Sequence, residues 1–236
     1  MPGDRVAALI VLKIPEPWHV YWKNPGDSGV PTQIDWELPK GWQASPPDFP
    51  VPKRLESEGI VSYAFERQLV LRTWLTVPEE SRPGEVAAIR AKVKWLACVE
   101  TCVLGSAELA TQVKVGAMSE ADPAGMASLK DFAATAPKRM PDFLVKAWPR
   151  VDGFDLVIND PGVSSAFFFA DDYRDVECGA PQERTSNGNT STLRLKMPVS
   201  SLMLAERLRG ILTYETKVGE SKAFVVDLPI QPIQGN

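Results

Sequence analysis

Three cysteines and one histidine are all that a chain of 236 residues offers for thiol or imidazole chemistry. That scarcity leaves no room for two separate metal sites, and any histidine-dependent mechanism must use His19. Long apolar runs are also missing. The first of any size, Val6 to Leu12, is too short to span a bilayer and lacks the basic start and small-residue cleavage site of a signal peptide. Charge of one sign is not in excess: 26 Lys and Arg stand against 30 Asp and Glu, so no basic surface tracks phosphates and nucleic acid is not an expected partner. A Gly-x-Ser-x-Gly elbow, a Gly-rich phosphate loop and a distinctive carboxylate pair are absent, which leaves serine hydrolysis, nucleotide chemistry and glycoside hydrolysis without support.

What is present points to strands. The 44% hydrophobic content and mean hydropathy of -0.14 are those of a globular protein, and the length suits one large β or α/β domain or two smaller ones. Twenty-one prolines, crowded toward the first 52 residues, disfavour long helices there. Val6 to Leu12 reads as a buried strand. In Trp18 to Lys23 the alternation places Trp18, Val20 and Trp22 on one face and His19, Tyr21 and Lys23 on the other. A dense turn, Asn24 to Gly29, separates this from strand spacing at Ile34, Trp36 and Leu38, and a proline-studded loop runs from Pro39 to Pro52. Further strands are expected over Gln68 to Val77, Val86 to Ala97 and Glu108 to Val115.

The composition shifts at Gly116. Asp122 as cap, Pro123 at the first helical position, Met126, Leu129 and Phe132 at three-residue steps and Pro137 as stop predict a short helix. Strand signals then return over Phe143 to Trp148, Phe154 to Ile158, Ala166 to Ala170, Thr192 to Met197, Ile211 to Val218 and Ala223 to Leu228, with a helical turn expected over Ser200 to Leu208. The simplest organisation is all-β: two tandem β-sandwich domains, 1–116 and 142–236, joined by a linker and short helix at 117–141. The chain starts almost inside a strand pattern, which suggests a piece of a longer protein.

The segment with chemistry is Trp95-Leu96-Ala97-Cys98-Val99-Glu100-Thr101-Cys102-Val103-Leu104-Gly105. Strand patterns on both sides make Val99 to Thr101 the tip of a connection, with the cysteines close enough to bond. A loop of five residues is a weak staple, worth about 2 kcal/mol on the chain-entropy account, and a plausible redox couple. Three readings stay open on the residues alone: a redox-active pair, an inert disulfide or pair of core thiols, and a metal site drafting Cys98, Cys102, His19 and Cys178. The C-x-x-x-C spacing is not that of a zinc knuckle, and Cys178 reads as a lone core or loop thiol. His19 and Tyr21 are equally readable as structural residues of a strand.

Two of these stretches carry a resemblance. Trp18-His19-Val20-Tyr21-Trp22-Lys23-Asn24-Pro25-Gly26-Asp27-Ser28-Gly29, with Ile34-Asp35-Trp36 and Leu38-Pro39 after it, and the Trp95 to Gly105 segment together resemble the amino-terminal periplasmic region of the DsbD family of thiol:disulfide interchange proteins, in particular its ScsB-like branch. The resemblance covers residues 5 to about 115. It implies an immunoglobulin-like fold for the first domain and a second such domain after it. It implies a protein-disulfide reductase module with no cofactor beyond a redox-active Cys98–Cys102 disulfide, periplasmic, in a parent protein of the inner membrane. The implied electron donors are the parent's membrane and thioredoxin-like domains, and the implied acceptor is a periplasmic thioredoxin-fold disulfide isomerase or a related protein. Links to copper tolerance and cytochrome c biogenesis come with the family. By the same resemblance Cys102 forms the mixed disulfide and Cys98 resolves it. The strand face of His19 and Tyr21 matches the one beside the cysteines in the family; by side-chain chemistry Tyr21 can donate a hydrogen bond to sulfur and His19 can exchange a proton, and both are equally readable as packing residues of the domain edge. Glu100 disfavours the thiolate by like charge, with Glu58 near it. A cap loop over Glu56 to Tyr63 shields the sulfur, Gly59 permitting movement and Ile60 or Tyr63 covering it. A non-enzymatic copper-binding or protein-binding sandwich is the alternative.

Overall fold

The computed structural model describes residues 1–118, 122–141, 143–200 and 205–231. The elements, in chain order, are β1 (Arg5–Lys13), β2 (His19–Gly26), β3 (Gln33–Glu37), β4 (Gln43–Ala44), β5 (Lys53–Ser57), β6 (Ile60–Glu66), β7 (Gln68–Thr76), β8 (Val86–Cys98) and β9 (Cys102–Lys114). The helix α1 (Pro123–Thr135) follows, then β10 (Lys138–Arg139), β11 (Val145–Arg150), β12 (Gly153–Ile158), β13 (Val163–Ala170), β14 (Glu183–Asn187), β15 (Thr190–Lys196), β16 (Arg207–Thr216) and β17 (Ser221–Pro229). The architecture is all-β and immunoglobulin-like, as expected. No helix among the described residues is long and apolar enough to cross a membrane.

Two compact units emerge, and they are not the sequential 1–116 and 142–236. The first comprises 1–23, 29–52 and 64–136, and the second 24–28, 53–63 and 137–236. The helix therefore counts with the first unit, and two short segments of the first half count with the second. Strands β2 and β6 each begin in one unit and end in the other.

In the first unit, β1, β7 and β4 form one layer. The other layer is organised by β8, which pairs along its whole length with β9 on one edge, and on its other edge with β3 at residues 90–94 and with β2 at 97–98. Strict alternation along β8 turns Ala87, Ile89, Ala91 and Val93 inward, toward Ile10 of β1 and Leu75 of β7. The helix forms as its capping signals direct: the Asp122 carboxylate accepts from the Gly125 N–H at 2.7 Å. Its one buried side chain is Phe132, 2% exposed. The Arg72 guanidinium lies 4.7 Å from the centre of that ring and 5.0 Å from that of Trp74, and is itself held by Asp48 at 2.8 Å.

The second unit packs the sheet β11-β12-β15-β14 on the sheet β10-β17-β16-β13. Phe154, Leu156 and Ile158 of β12, Leu193 and Leu195 of β15, Phe168 of β13 and Leu208 and Leu212 of β16 fill the layer between them. The helical turn expected over Ser200 to Leu208 is corrected at its end: Arg207 and Leu208 open β16, where the alternating Leu208, Gly210 and Leu212 are core positions of a strand. Residues 201–204 of that expectation lie outside the described residues, as do 119–121 of the expected linker. Strands β4, within the loop expected from Pro39 to Pro52, and β5, β6, β10 and β14 were not anticipated.

Truncating Phe132 to Ala should remove about 3 kcal/mol of helix docking. Amide hydrogen exchange is expected to lose protection over 123–135 while the strands of both units keep theirs.

Candidate redox site

Cys98 ends β8 and Cys102 begins β9, directly opposite each other in the ladder. The intervening turn closes with the Val99 N–H donating to the Thr101 carbonyl at 3.1 Å. The two sulfurs are bonded at 2.00 Å, with Cα atoms 4.1 Å apart. The ends of this bond differ: Cys98 is 3% exposed, whereas Cys102 is open to solvent. Exposed apolar side chains follow it, Val103 at 55% and Leu104 at 79%, and Glu100 sits exposed at the tip. Thiol exchange proceeds by attack on one sulfur with the other leaving as thiolate. Here the accessible attack is on Cys102, which expels Cys98.

Register decides what shares the sulfur face. His19 pairs with Cys98 and Val20 with Ala97, so the pleat places His19 and Tyr21 on the side of the cysteines. Trp18 and Val20 face the other way. They line an apolar groove of about 530 Å³ with Val93, Trp95, Ala97 and Val103. His19 Nε2 lies 3.3 Å from the Tyr21 hydroxyl, and the two rings meet edge to face at 5.2 Å. Tyr21 is buried, its ring filling the space a side chain would need at Gly29, where φ is +116°. Burial holds the His19 pKa below its ordinary value, against the opposing charge of Glu66, and burial raises that of Tyr21. Glu66, on the neighbouring strand β6, was missed in the sequence because nothing in its spacing links it to His19.

The expected cap residues form a hairpin instead of a loop. Glu58 and Gly59 both have positive φ, 52° and 81°, as a two-residue type I′ turn between β5 and β6 requires. Ile60 is half exposed. Tyr63 does not serve as a cover for the Cys98–Cys102 sulfurs: it is fully buried in the second unit, edge to face with Phe167 and Phe169, the nearer at 5.0 Å. Cys178 lies beside it, with its sulfur accepting from Asn24 Nδ2 at 3.7 Å. Burial pushes the Cys178 thiol up, and Asp27 adds to it, while the bond from Asn24 and the neighbouring Tyr63 hydroxyl oppose. Cys178 is a core thiol. The turn Asn24 to Ser28 is anchored here as well: Asn24 Nδ2 donates to the Ala170 carbonyl at 2.8 Å, and Asp27 accepts from the Val61 N–H at 2.9 Å. Gly26 at φ +91° leaves no room for a side chain beside the Val61 carbonyl.

Among the described residues no group of three or more His, Cys, Asp and Glu is placed to hold a metal ion. Cys98 and Cys102, spent in a mutual bond, offer no thiolate in this state.

Comparison with known proteins matches residues 1–114 to the family described as "Thiol:disulfide interchange protein DsbD, N-terminal". No curated protein sequence matches the chain. Among solved structures, the N-terminal periplasmic domain of ScsB from Proteus mirabilis superposes with a TM-score of 0.66 at 16% identity, over 97% of this chain and 90% of that one. That likeness is one of fold, and it extends through both units. Residues 1–114 thus belong to the amino-terminal domain family of the DsbD thiol:disulfide interchange proteins, within a chain that has the fold of the ScsB periplasmic domain.

Proposed function

We propose that the chain is a periplasmic electron-transfer module of a larger membrane protein, a protein-disulfide reductase that passes two electrons through Cys98 and Cys102 to a thioredoxin-fold partner. The observation that carries this is the asymmetric disulfide at the end of the β8–β9 hairpin, one sulfur open and one buried. In the reduced pair, the Cys102 thiolate attacks a sulfur of the partner's disulfide, and the partner's other sulfur leaves as thiolate. Cys98 then attacks Cys102 Sγ, restoring the Cys98–Cys102 bond and releasing the second partner sulfur. The partner gains two electrons and the pair loses them. A donor dithiol restores the pair by the reverse sequence, entering at Cys102.

The exposed flank of Val103 and Leu104 beside Cys102 suits a macromolecular acceptor. Glu100 at the tip keeps negative charge near the nascent thiolate, so that reactivity rises mainly when a partner covers the site.

Brief alkylation of the fully reduced chain is expected to label Cys102 first, with Cys98 and Cys178 lagging, as read by peptide mass spectrometry. With an oxidised thioredoxin-fold disulfide isomerase as probe, Cys98→Ser should accumulate a covalent adduct on non-reducing gels. Cys102→Ser should give neither adduct nor turnover. A double Cys→Ser chain that still reduces the isomerase overturns the proposal. The Cys98–Cys102 couple is expected to equilibrate with glutathione or a thioredoxin-fold protein. A potential far below about -300 mV would mark it as a structural bond.

A further inference from the structure

The sulfur face of the β8 sheet carries a row of three chemical groups, with a charged fourth on a neighbouring strand. Sheet order runs from β6 to β2 to β8, with β9 on the far edge of β8. His19 is directly opposite Cys98, and Cys98 directly opposite Cys102. Side chains so paired share a face, with Cβ atoms about 4.5–5.5 Å apart. On the other side of His19, β6 brings the Glu66 carboxylate near enough for its charge to act on the imidazole. Across the strands the row reads imidazole, buried sulfur, exposed sulfur, with the Glu66 charge acting on the imidazole from β6.

The two thiols of the reduced pair have unequal needs. Cys102 meets water, which can take its proton. Cys98 is enclosed, and enclosure disfavours the thiolate that must form before it can attack. A base is therefore required at Cys98, and the cross-strand residue there is the single histidine of the chain. In the tautomer whose Nε2–H donates to the Tyr21 hydroxyl, Nδ1 keeps its lone pair for a proton. The buried Tyr21 fixes the ring.

Building on the reading of Cys98 and Cys102 as an exchange pair, we propose that His19 is the proton acceptor for the resolving thiol, with Glu66 as the counter-charge of the imidazolium and Tyr21 as its positioning residue. In the mixed disulfide on Cys102, Cys98 Sγ–H gives its proton to His19 Nδ1. The Cys98 thiolate attacks Cys102 Sγ, the Cys98–Cys102 bond forms, and the partner's sulfur leaves with the electron pair of the broken bond. His19 then loses the proton to water. When a donor thiolate reopens the disulfide, His19 takes a proton from water at Nδ1 and passes it to the departing Cys98. The titratable groups facing His19 are Tyr21 on its own strand, Cys98 on β8 and Glu66 on β6. Burial keeps the imidazole neutral near pH 7, as an acceptor must be, while Glu66 limits that lowering.

One equivalent of the aryl disulfide dithiobis(nitrobenzoate), added to the fully reduced chain, separates the steps. The first release of thionitrobenzoate reports attack by Cys102, and the second reports resolution by Cys98. His19→Gln is expected to slow the second release by roughly tenfold or more at pH 7. It should leave the first within about twofold, and the deficit should shrink as rising pH ionises Cys98 directly. Glu66→Gln, an exposed change that does not depend on refilling a core, should move the pH midpoint of the second release downward. An unchanged second release, or equal slowing of both releases at every pH, overturns the role of His19. An unmoved midpoint in Glu66→Gln overturns the role of Glu66 and, should His19→Gln fail to fold, the proposal. If the wild-type chain gives no second release, the exchange reading itself falls, and this inference falls with it.

Discussion

The ladder between β8 and β9 is the constraint on which the site depends. It runs in unbroken register from Val86 opposite Lys114 to Cys98 opposite Cys102. Because side chains alternate strictly along a strand, a slip of one residue would send the two sulfurs to opposite faces. The same parity divides the hairpin's labour. One face carries Cys98, Cys102 and, through β2, His19 and Tyr21; the other carries Val93, Trp95, Ala97 and Val103 toward an apolar groove. Burial of Ile89, Ala91 and Val93 in the first unit's core holds the register in place at a distance from the chemistry.

From that fixed row the asymmetry of the disulfide follows. Cys98 lies on the strand flanked on both edges, while Cys102 lies on β9, which among the described residues pairs only with β8. Sheet position thus distinguishes the two sulfurs: the edge strand presents its sulfur outward, and the interior strand keeps its own beside His19.

Much of this was legible in the sequence, and the exceptions have physical causes. Alternation in Trp18 to Lys23 separated His19 and Tyr21 from Trp18 and Val20 correctly, since period two needs only local information. The cysteine hairpin was legible because strand patterns flanked a three-residue tip. The helix was legible from Asp122, Pro123 and Pro137, which act on their own backbone. Tyr63 was not: periodicity says that a residue is buried, never against what, and its partners Phe167 and Phe169 lie a hundred residues away. Glu66 failed for the same reason. Its relation to His19 comes from strand order in the sheet, which no local pattern encodes.

The turn Asn24 to Ser28 follows His19 by only a few residues, yet its side chains are bonded to Ala170 and to the thiol of Cys178. With 53–63 likewise counted in the second unit, the backbone passes between the two units several times. No single scission of the chain can therefore liberate either one whole. A gene cut near the end of the family match would give a first half carrying Asn24 without Ala170 and Cys178, and Tyr63 without Phe167 and Phe169, and a second half lacking 24–28 and 53–63. A break anywhere between Asn24 and Ala136 therefore divides at least one unit's own sequence, even though Cys98 and Cys102 lie within a single hairpin.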